Sequence, residues 1–111
     1  MATVANIFID QGADYSNIIT VGSSNGSALV LTGYTVASQI RKSYGSSTSY
    51  NFTASIYSAN EGKVRLQLTA AASHAIPPGR YLYDVEITSP SGTKTRVVEG
   101  IATVTPEITQ I

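Results

Sequence analysis

Apolar and polar side chains alternate with a period of two in short segments along this chain. Tyr34, Val36, Ser38 and Ile40 alternate with Thr35, Ala37, Gln39 and Arg41, which puts a mostly apolar row on one face of a strand and a polar row on the other. Phe52, Ala54 and Ile56 against Thr53, Ser55 and Tyr57 repeat the pattern, as do Val64, Leu66 and Leu68 against Lys63, Arg65 and Gln67. In Tyr81, Tyr83, Val85 and Ile87 against Leu82, Asp84 and Glu86, the inner row is aromatic at one end and aliphatic at the other. These four segments read as half-buried strands.

Three further segments alternate less cleanly. Residues 4–10 and 15–21 carry Ile, Val, Phe and Thr on both faces, which predicts strands buried on both sides or covering a subunit contact. Residues 94–104 form a long apolar run interrupted by Gly100, and a glycine inside a strand pattern predicts a bulge or kink there. Turn signals separate the runs: Gln11-Gly12, Ser23-Ser24-Asn25-Gly26-Ser27, Gly45-Ser46-Ser47, Asn60-Glu61-Gly62, Pro77-Pro78-Gly79 and Ser89-Pro90-Ser91-Gly92. Such spacing predicts an all-β sandwich or barrel. The exception is residues 69–75, whose Ala-rich stretch before Pro77 allows one turn of helix at most.

A sandwich is favoured by Pro78-Gly79-Arg80-Tyr81, which sets a Tyr at a strand start after a tight crossover. Immunoglobulin-type sandwiches place a corner tyrosine there, its hydroxyl bonded back to nearby backbone. The immunoglobulin Cys pair and core Trp are missing. The fold expected is therefore an immunoglobulin-like antiparallel β-sandwich of about seven strands, one domain over residues 1–111.

Composition narrows the function classes. A chain of 111 residues fits one compact domain, and seven Lys and Arg against seven Asp and Glu leave a formal net charge of +0. That balance argues against a nucleic-acid binder, whose affinity comes largely from neutralised phosphates. Charged residues make up only 13% of the chain, and low charge near neutrality favours association, so the expectation leans towards life in an assembly. Residues 1–10 hold no basic residue and no apolar stretch of signal-sequence length, and no run reaches about 18 apolar residues. The expectation is a chain neither secreted by that route nor spanning a membrane. Asn25-Gly26-Ser27 and Asn51-Phe52-Thr53 match the glycosylation acceptor pattern but read as polar loop or strand segments without such a signal.

Catalytic signatures are sparse. His74 stands alone, with no Gly-x-Ser-x-Gly and no Cys, and reads as a solvent-facing or capping residue. One His and no Cys exclude a structural zinc site. The carboxylates are Asp10, Asp14, Glu61, Asp84, Glu86, Glu99 and Glu107. Residues 10–14 superficially resemble a calcium loop but lack its middle acids and closing Glu, so a turn is expected. Asp84 and Glu86 share a strand face about 7 Å apart. Rather than a glycosidase-like pair, they read as an outward row that would face Lys63 and Arg65 if those strands were neighbours, and no Glu or Asp sits beside aromatic residues in a way that predicts a raised pKa. The Gly-rich residues 22–26 lack the Lys of a phosphate loop and read as a hairpin turn. Arg41 and Lys42 with Tyr44, and Arg80 with Tyr81 and Tyr83, form a weak case for stacking bases or sugars and a better one for a protein interface.

Several motifs are familiar together: Leu31-Thr32-Gly33-Tyr34-Thr35-Val36, Gln39-Ile40-Arg41-Lys42, Gly62-Lys63-Val64, Pro78-Gly79-Arg80-Tyr81-Leu82-Tyr83-Asp84-Val85, and Val98-Glu99-Gly100-Ile101-Ala102-Thr103-Val104-Thr105-Pro106. Over nearly the whole chain they resemble a small domain of tailed bacteriophages, the amino-terminal domain of the baseplate upper protein type, and short virion proteins of cyanobacterial phages. The resemblance implies an immunoglobulin-like sandwich packed against other virion proteins in a tail, baseplate or neck, made in the bacterial host cytoplasm, without catalysis, cofactor, metal, nucleic acid or membrane, and able to form a homo-oligomer. Baseplate upper proteins continue beyond the position of Ile111, so capsid decoration in many copies is the alternative. A third expectation is a carbohydrate-binding module using outward Tyr44, Tyr50 and Tyr57. Residues 1–4 and 106–111 are candidate arms towards neighbours.

The crossover also makes a stability prediction, because Gly79 is placed where positive φ is needed. Gly79→Val should destabilise the protein by more than about 1 kcal/mol, seen as a lower thermal midpoint. An unchanged midpoint would mean the turn is misplaced.

Overall fold

The computed structural model of the chain describes residues 3–21, 29–43 and 45–108. Each alternating segment is a strand in it. In chain order they are β1 (Thr3–Val4), β2 (Ile7–Asp10), β3 (Tyr15–Thr20), β4 (Thr35–Arg41), β5 (Ser49–Asn51), β6 (Thr53–Ser58), β7 (Lys63–Leu68), β8 (Gly79–Thr88) and β9 (Lys94–Thr105), with helix α1 (Ala70–His74) between β7 and β8. A large sheet runs β1-β9-β8-β4-β5, with β2 also on β9, and a small sheet runs β3-β7-β6. This is an immunoglobulin-like β-sandwich.

The inward rows explain the pairing. Tyr81, Tyr83, Val85 and Ile87 of β8, Val64, Leu66 and Leu68 of β7, Ile40 of β4 and Val98, Ala102 and Val104 of β9 are all buried between the sheets. A buried aliphatic side chain contributes roughly 1.5–3 kcal/mol, so sliding any of these strands by one residue would expose its whole inner row. Phe52, buried between β5 and β6, is where the chain leaves the large sheet for the small one. Its ring lies 5.8 Å from that of Tyr15 and 6.3 Å from that of Tyr83.

The helix is the single turn expected. Thr69 caps it, accepting a hydrogen bond from the Ala72 amide, and the chain turns away before Pro77. Tyr81 Oη then donates to the Pro77 carbonyl at 2.5 Å, the corner tyrosine of this architecture. Gly79 has φ +145°, the backbone freedom the crossover requires.

Two strand details differ from the sequence reading. The first segment splits at Ala5-Asn6 into two strands that run parallel to β9, and β5 forms just before the Phe52 segment where no strand was expected, which raises the strand number among the described residues to nine. Within the chain, neither 4–10 nor 15–21 is buried on both faces, for Val4, Phe8 and Ile18 are exposed.

The irregularity expected at Gly100 sits elsewhere. Val85 pairs with Val98 and Glu86 with Arg96, so the extra residue of the bulge is Val97. Gly100 answers to a different constraint: a Cβ there would collide with the Ala5 carbonyl, where the amino-terminal segment crosses close over β9. The turn read at 22–26, the acceptor pattern at Asn25 and Tyr44 lie outside the described residues.

Tyr81→Phe should cost about 1–2 kcal/mol, because the Pro77 carbonyl loses its donor while the ring still packs. The check is a denaturant titration, with a lower midpoint at unchanged slope. An unchanged midpoint would remove the corner bond as a stabilising element.

Candidate functional site

The outward rows of the large sheet meet in one patch. Antiparallel register sets Leu82 beside Ile101 and Arg41, Asp84 beside Glu99 and Gln39, and Glu86 beside Arg96 and Ala37. Together with Val4 and neighbouring residues they line an open depression of about 1130 Å³. The bulge at Val97 is what brings Arg96, rather than Val97, opposite Glu86. Arg96 then serves two acids, with Nε 3.2 Å from Asp84 Oδ2 and Nη1 4.0 Å from Glu99 Oε2. Without it, Asp84 and Glu99 would be like charges on directly paired residues, which is destabilising.

The other cation of the patch is already engaged. Arg41 donates through Nη1 to the Ser46 carbonyl at 2.7 Å and through Nη2 to Gln39 Oε1 at 3.1 Å. Three carboxylates and two guanidiniums line the depression, and Arg80 and Lys94 lie on the same outward rows of β8 and β9 beyond it. Burial and the neighbouring Glu86 hold the Asp84 carboxyl above its ordinary value, against the opposing pull of Arg96 and Arg41. The cause is burial and a like charge rather than an aromatic neighbour, which is the only source the sequence reading weighed.

An apolar stripe borders the acids. Val4 is 71% exposed, Phe8 70% and Ile101 37%, and the register sets Val4 beside Glu99 and Phe8 beside Thr103. Asn6, between them, accepts a hydrogen bond from the Ile101 amide through Oδ1 at 3.0 Å and so ties the stripe to β9. Tyr83 secures it from beneath by donating to the Ala5 carbonyl at 2.5 Å. Burial and nearby Tyr15 push that phenol up to about 12, so it keeps its proton.

The other sequence candidates serve as braces. His74 is 61% exposed at the end of α1, with Nδ1 2.9 Å from Glu107 Oε1. The adjacent Ser73 hydroxyl is buried, donates to the Ala13 carbonyl at 2.8 Å and accepts from the Gly12 amide at 3.0 Å. Gln11 donates to the carbonyls of His74 and Ile76 and accepts from the Glu107 amide, which folds residues 106–107 back onto the domain. Asp10 accepts from Thr105 Oγ1 and Asp14 from the Ala70 amide, so the two acids of the turn serve separate partners. Among the described residues, no three His, Asp or Glu gather as a metal site.

The charged and aromatic rows separate as well. Lys63 and Arg65 lie on the small sheet and do not face Asp84 and Glu86, because β8 is flanked by β9 and β4. Tyr81 and Tyr83 are buried, and Tyr50 packs edge-on to Tyr81 with ring centroids 6.2 Å apart, so these rings leave the proposed stacking surface. Tyr57 stays half exposed under the Arg65 guanidinium, 4.7 Å from its ring centre. Sequence reasoning missed Arg96 and the exposure of Val4 and Phe8. The alternation of residues 82, 84 and 86 pointed to this face, but a bulge shifts the register of β9 and is not visible in a hydropathy pattern.

No protein-family model and no curated protein matches the chain. Among solved structures, it is similar to an internalin-like protein of Listeria monocytogenes at 13% identity and TM-score 0.46, over 94% of this chain and 28% of that one. It is also similar to AggA, the major subunit of aggregative adherence fimbriae type I of Escherichia coli, at 12% identity and TM-score 0.45, over 90% of this chain and 89% of that one. A third is a structure described by multimeric cell-adhesive interactions of VGSC beta subunits, at 11% identity and TM-score 0.43, over 92% of each chain. The chain spans about 28% of the internalin-like protein. At these scores none of the three assigns an activity or partner to this chain.

The raised Asp84 pKa predicts a pH dependence. Folding favours the protonated carboxyl, so this group's stabilising contribution is complete below its unfolded value of 3.8 and fades as pH rises through the folded pKa. Asp84→Asn should therefore gain stability relative to wild type between about pH 3 and about pH 7. Thermal melts across that range measure it, and a relative loss with rising pH would contradict the placement of charge.

Proposed function

We propose that this chain is a non-enzymatic structural protein of a tailed-phage virion, a docking or adaptor module in the tail, baseplate or neck. The observation that carries the docking part is the exposed stripe of Val4, Phe8 and Ile101 beside the Asp84, Glu86, Glu99, Arg41 and Arg96 cluster. An apolar patch rimmed by charge on a rigid sheet is the make-up of a protein interface. The virion setting is supported by the motifs quoted from the sequence. The non-enzymatic part is supported by the state of Ser73, whose buried hydroxyl is spent on backbone partners while His74 points to Glu107.

Capsid decoration would use the same face and differs only in where the copies sit. The glycan-binding alternative has less support, since one face of the Tyr57 ring is covered by Arg65 and Tyr50 packs inward.

Mass spectrometry and electron microscopy of purified particles test the proposal. The chain should be a stoichiometric component with density in the tail apparatus; its absence from virions would refute the reading, and density on the head would move it to capsid decoration. Phe8→Asp should keep thermal stability within about 0.5 kcal/mol, because the ring is exposed, yet reduce incorporation into particles. Undiminished incorporation would discard the stripe as the docking surface.

A further inference from the structure

We infer that the open edge of the small sheet pairs with the same edge of a second copy, β3 antiparallel to β3, so that two three-stranded sheets join into one continuous sheet. The inference is independent of the large-sheet face and of where the chain works.

Immunoglobulin sandwiches complete the corresponding sheet with the first strand of the chain, in the order A-B-E-D. Here β1 and β2 both lie on β9 in the other sheet, so β3 pairs with β7 on one side and with no strand among the described residues on the other. The direction of its free backbone groups follows from the register. Ile19 is opposite Val64 and Thr20 opposite Lys63, and the next amide, that of Val21, donates to the Gly62 carbonyl at 2.6 Å. Successive residues of a strand turn their polar backbone groups to alternate sides. Tyr15, Asn17 and Ile19 therefore bond towards β7 as Val21 bonds to Gly62, and the amides and carbonyls of Ser16, Ile18 and Thr20 point away from the sheet. No other described segment hydrogen-bonds to them.

Folded proteins blunt such an edge with charge, proline, a bulge or a short strand. The other edges of this sandwich are blunted: β5 has 3 residues, β1 has 2, β2 has 4 and ends on Asp10, and β6 is bulged at Tyr57. In contrast, β3 has none of these devices. Its 6 residues, Tyr15–Thr20, carry no charge, no Pro and no Gly, and they pair with β7 in unbroken register. Ile18 stands outward on it, 42% exposed.

The occupant is a second copy because this edge is complementary to itself. A two-fold axis at Ile18 sets that residue opposite its own counterpart, with Ser16 opposite Thr20 on either side. Each of these pairs joins residues whose backbone groups point outward, so each makes two hydrogen bonds. A slip of two residues loses one pair, and a slip of one sets free groups against groups already spent on β7. On the outer row the two exposed Ile18 side chains cover each other, and Ser beside Thr is a favourable cross-strand pair. The two Arg65 side chains stand on strands three spacings apart, about 14 Å, which exceeds the screening length of about 8 Å at physiological salt. A two-fold pair uses up the edge and closes the assembly. One short strand buries far less than the roughly 800 Å² per partner of a standard interface, so the dimer is weak.

Sedimentation of the purified chain at up to about 1 mM tests this, since a contact of this size needs high concentration. The weight-average mass should rise towards that of two chains and no further, and should not fall as salt increases from about 0.02 M to about 0.5 M. Ile18→Lys and Ile18→Glu should each weaken association about tenfold, because like charges then meet on the axis, and an equal mixture of the two should restore it. Ile18→Cys gives a second check that needs no charged variant to fold. The chain has no cysteine of its own, and facing Cα atoms about 5.5 Å apart are within reach of a disulfide. Air oxidation should therefore link Ile18→Cys into a covalent dimer far faster than Ser55→Cys, an exposed position two strands away on the same row. A chain that stays monomeric at about 1 mM would overturn the pairing and leave the edge to a strand from another protein. Growth beyond two copies, association lost with salt, charged variants that fail to recover on mixing, or equal linking rates for the two cysteine variants would each overturn it as well.

Discussion

The structure depends on β8 being paired on both sides while its inner row is buried. Ten residues of β8 pair with β9 and seven with β4, so one strand sets the register of the large sheet's centre. Tyr81, Tyr83, Val85 and Ile87 cannot slip by one residue without exposing an aromatic and aliphatic row. The two phenols extend that control. Tyr81 holds the crossover at Pro77, and Tyr83 reaches Ala5 at the edge of the sheet. Once this register is set, Leu82, Asp84 and Glu86 have no choice but to face outward beside Ile101, Glu99 and Arg96.

The surface chemistry arises where regular alternation fails. A bulge at Val97 turns Arg96 to the side of Asp84 and Glu99, and the missing side chain of Gly100 lets Ala5 pass close to β9. The first places a cation among acids that would otherwise repel. The second allows β1 and β2 to run along the sheet edge, which sets Val4 and Phe8 on the same face. Irregular positions in a strand thus act as local devices for aiming side chains.

At the other end of the molecule, groups that could do chemistry are used as mortar. Gln11, Ser73, Asp10 and Asp14 each bond to backbone or to a neighbouring strand, and Glu107 lies against His74. These bonds fasten the β2–β3 turn, the helix and the segment after β9 to one another. The exposed apolar groups Val4, Phe8, Ile18, Tyr57 and Ile101 lie instead on the two outer sheet faces.

The sequence by itself determined most of the strands, though not β5 or the break between β1 and β2, together with the inner rows, the single helical turn and the corner tyrosine, because period-two alternation, a helix-stopping proline and turn glycines act over a few residues. It also marked Asp84 and Glu86 as an outward pair. It left open which strands are neighbours: Lys63 and Arg65 match those acids in sign yet belong to the other sheet. The parallel course of β1 and β2, the bulge at Val97 and the gathering of Val4, Phe8, Ile101 and Arg96 were decided by tertiary structure alone. Each of these depends on contacts between residues far apart in the chain, and no local pattern of apolar and polar side chains records which distant strand will lie alongside.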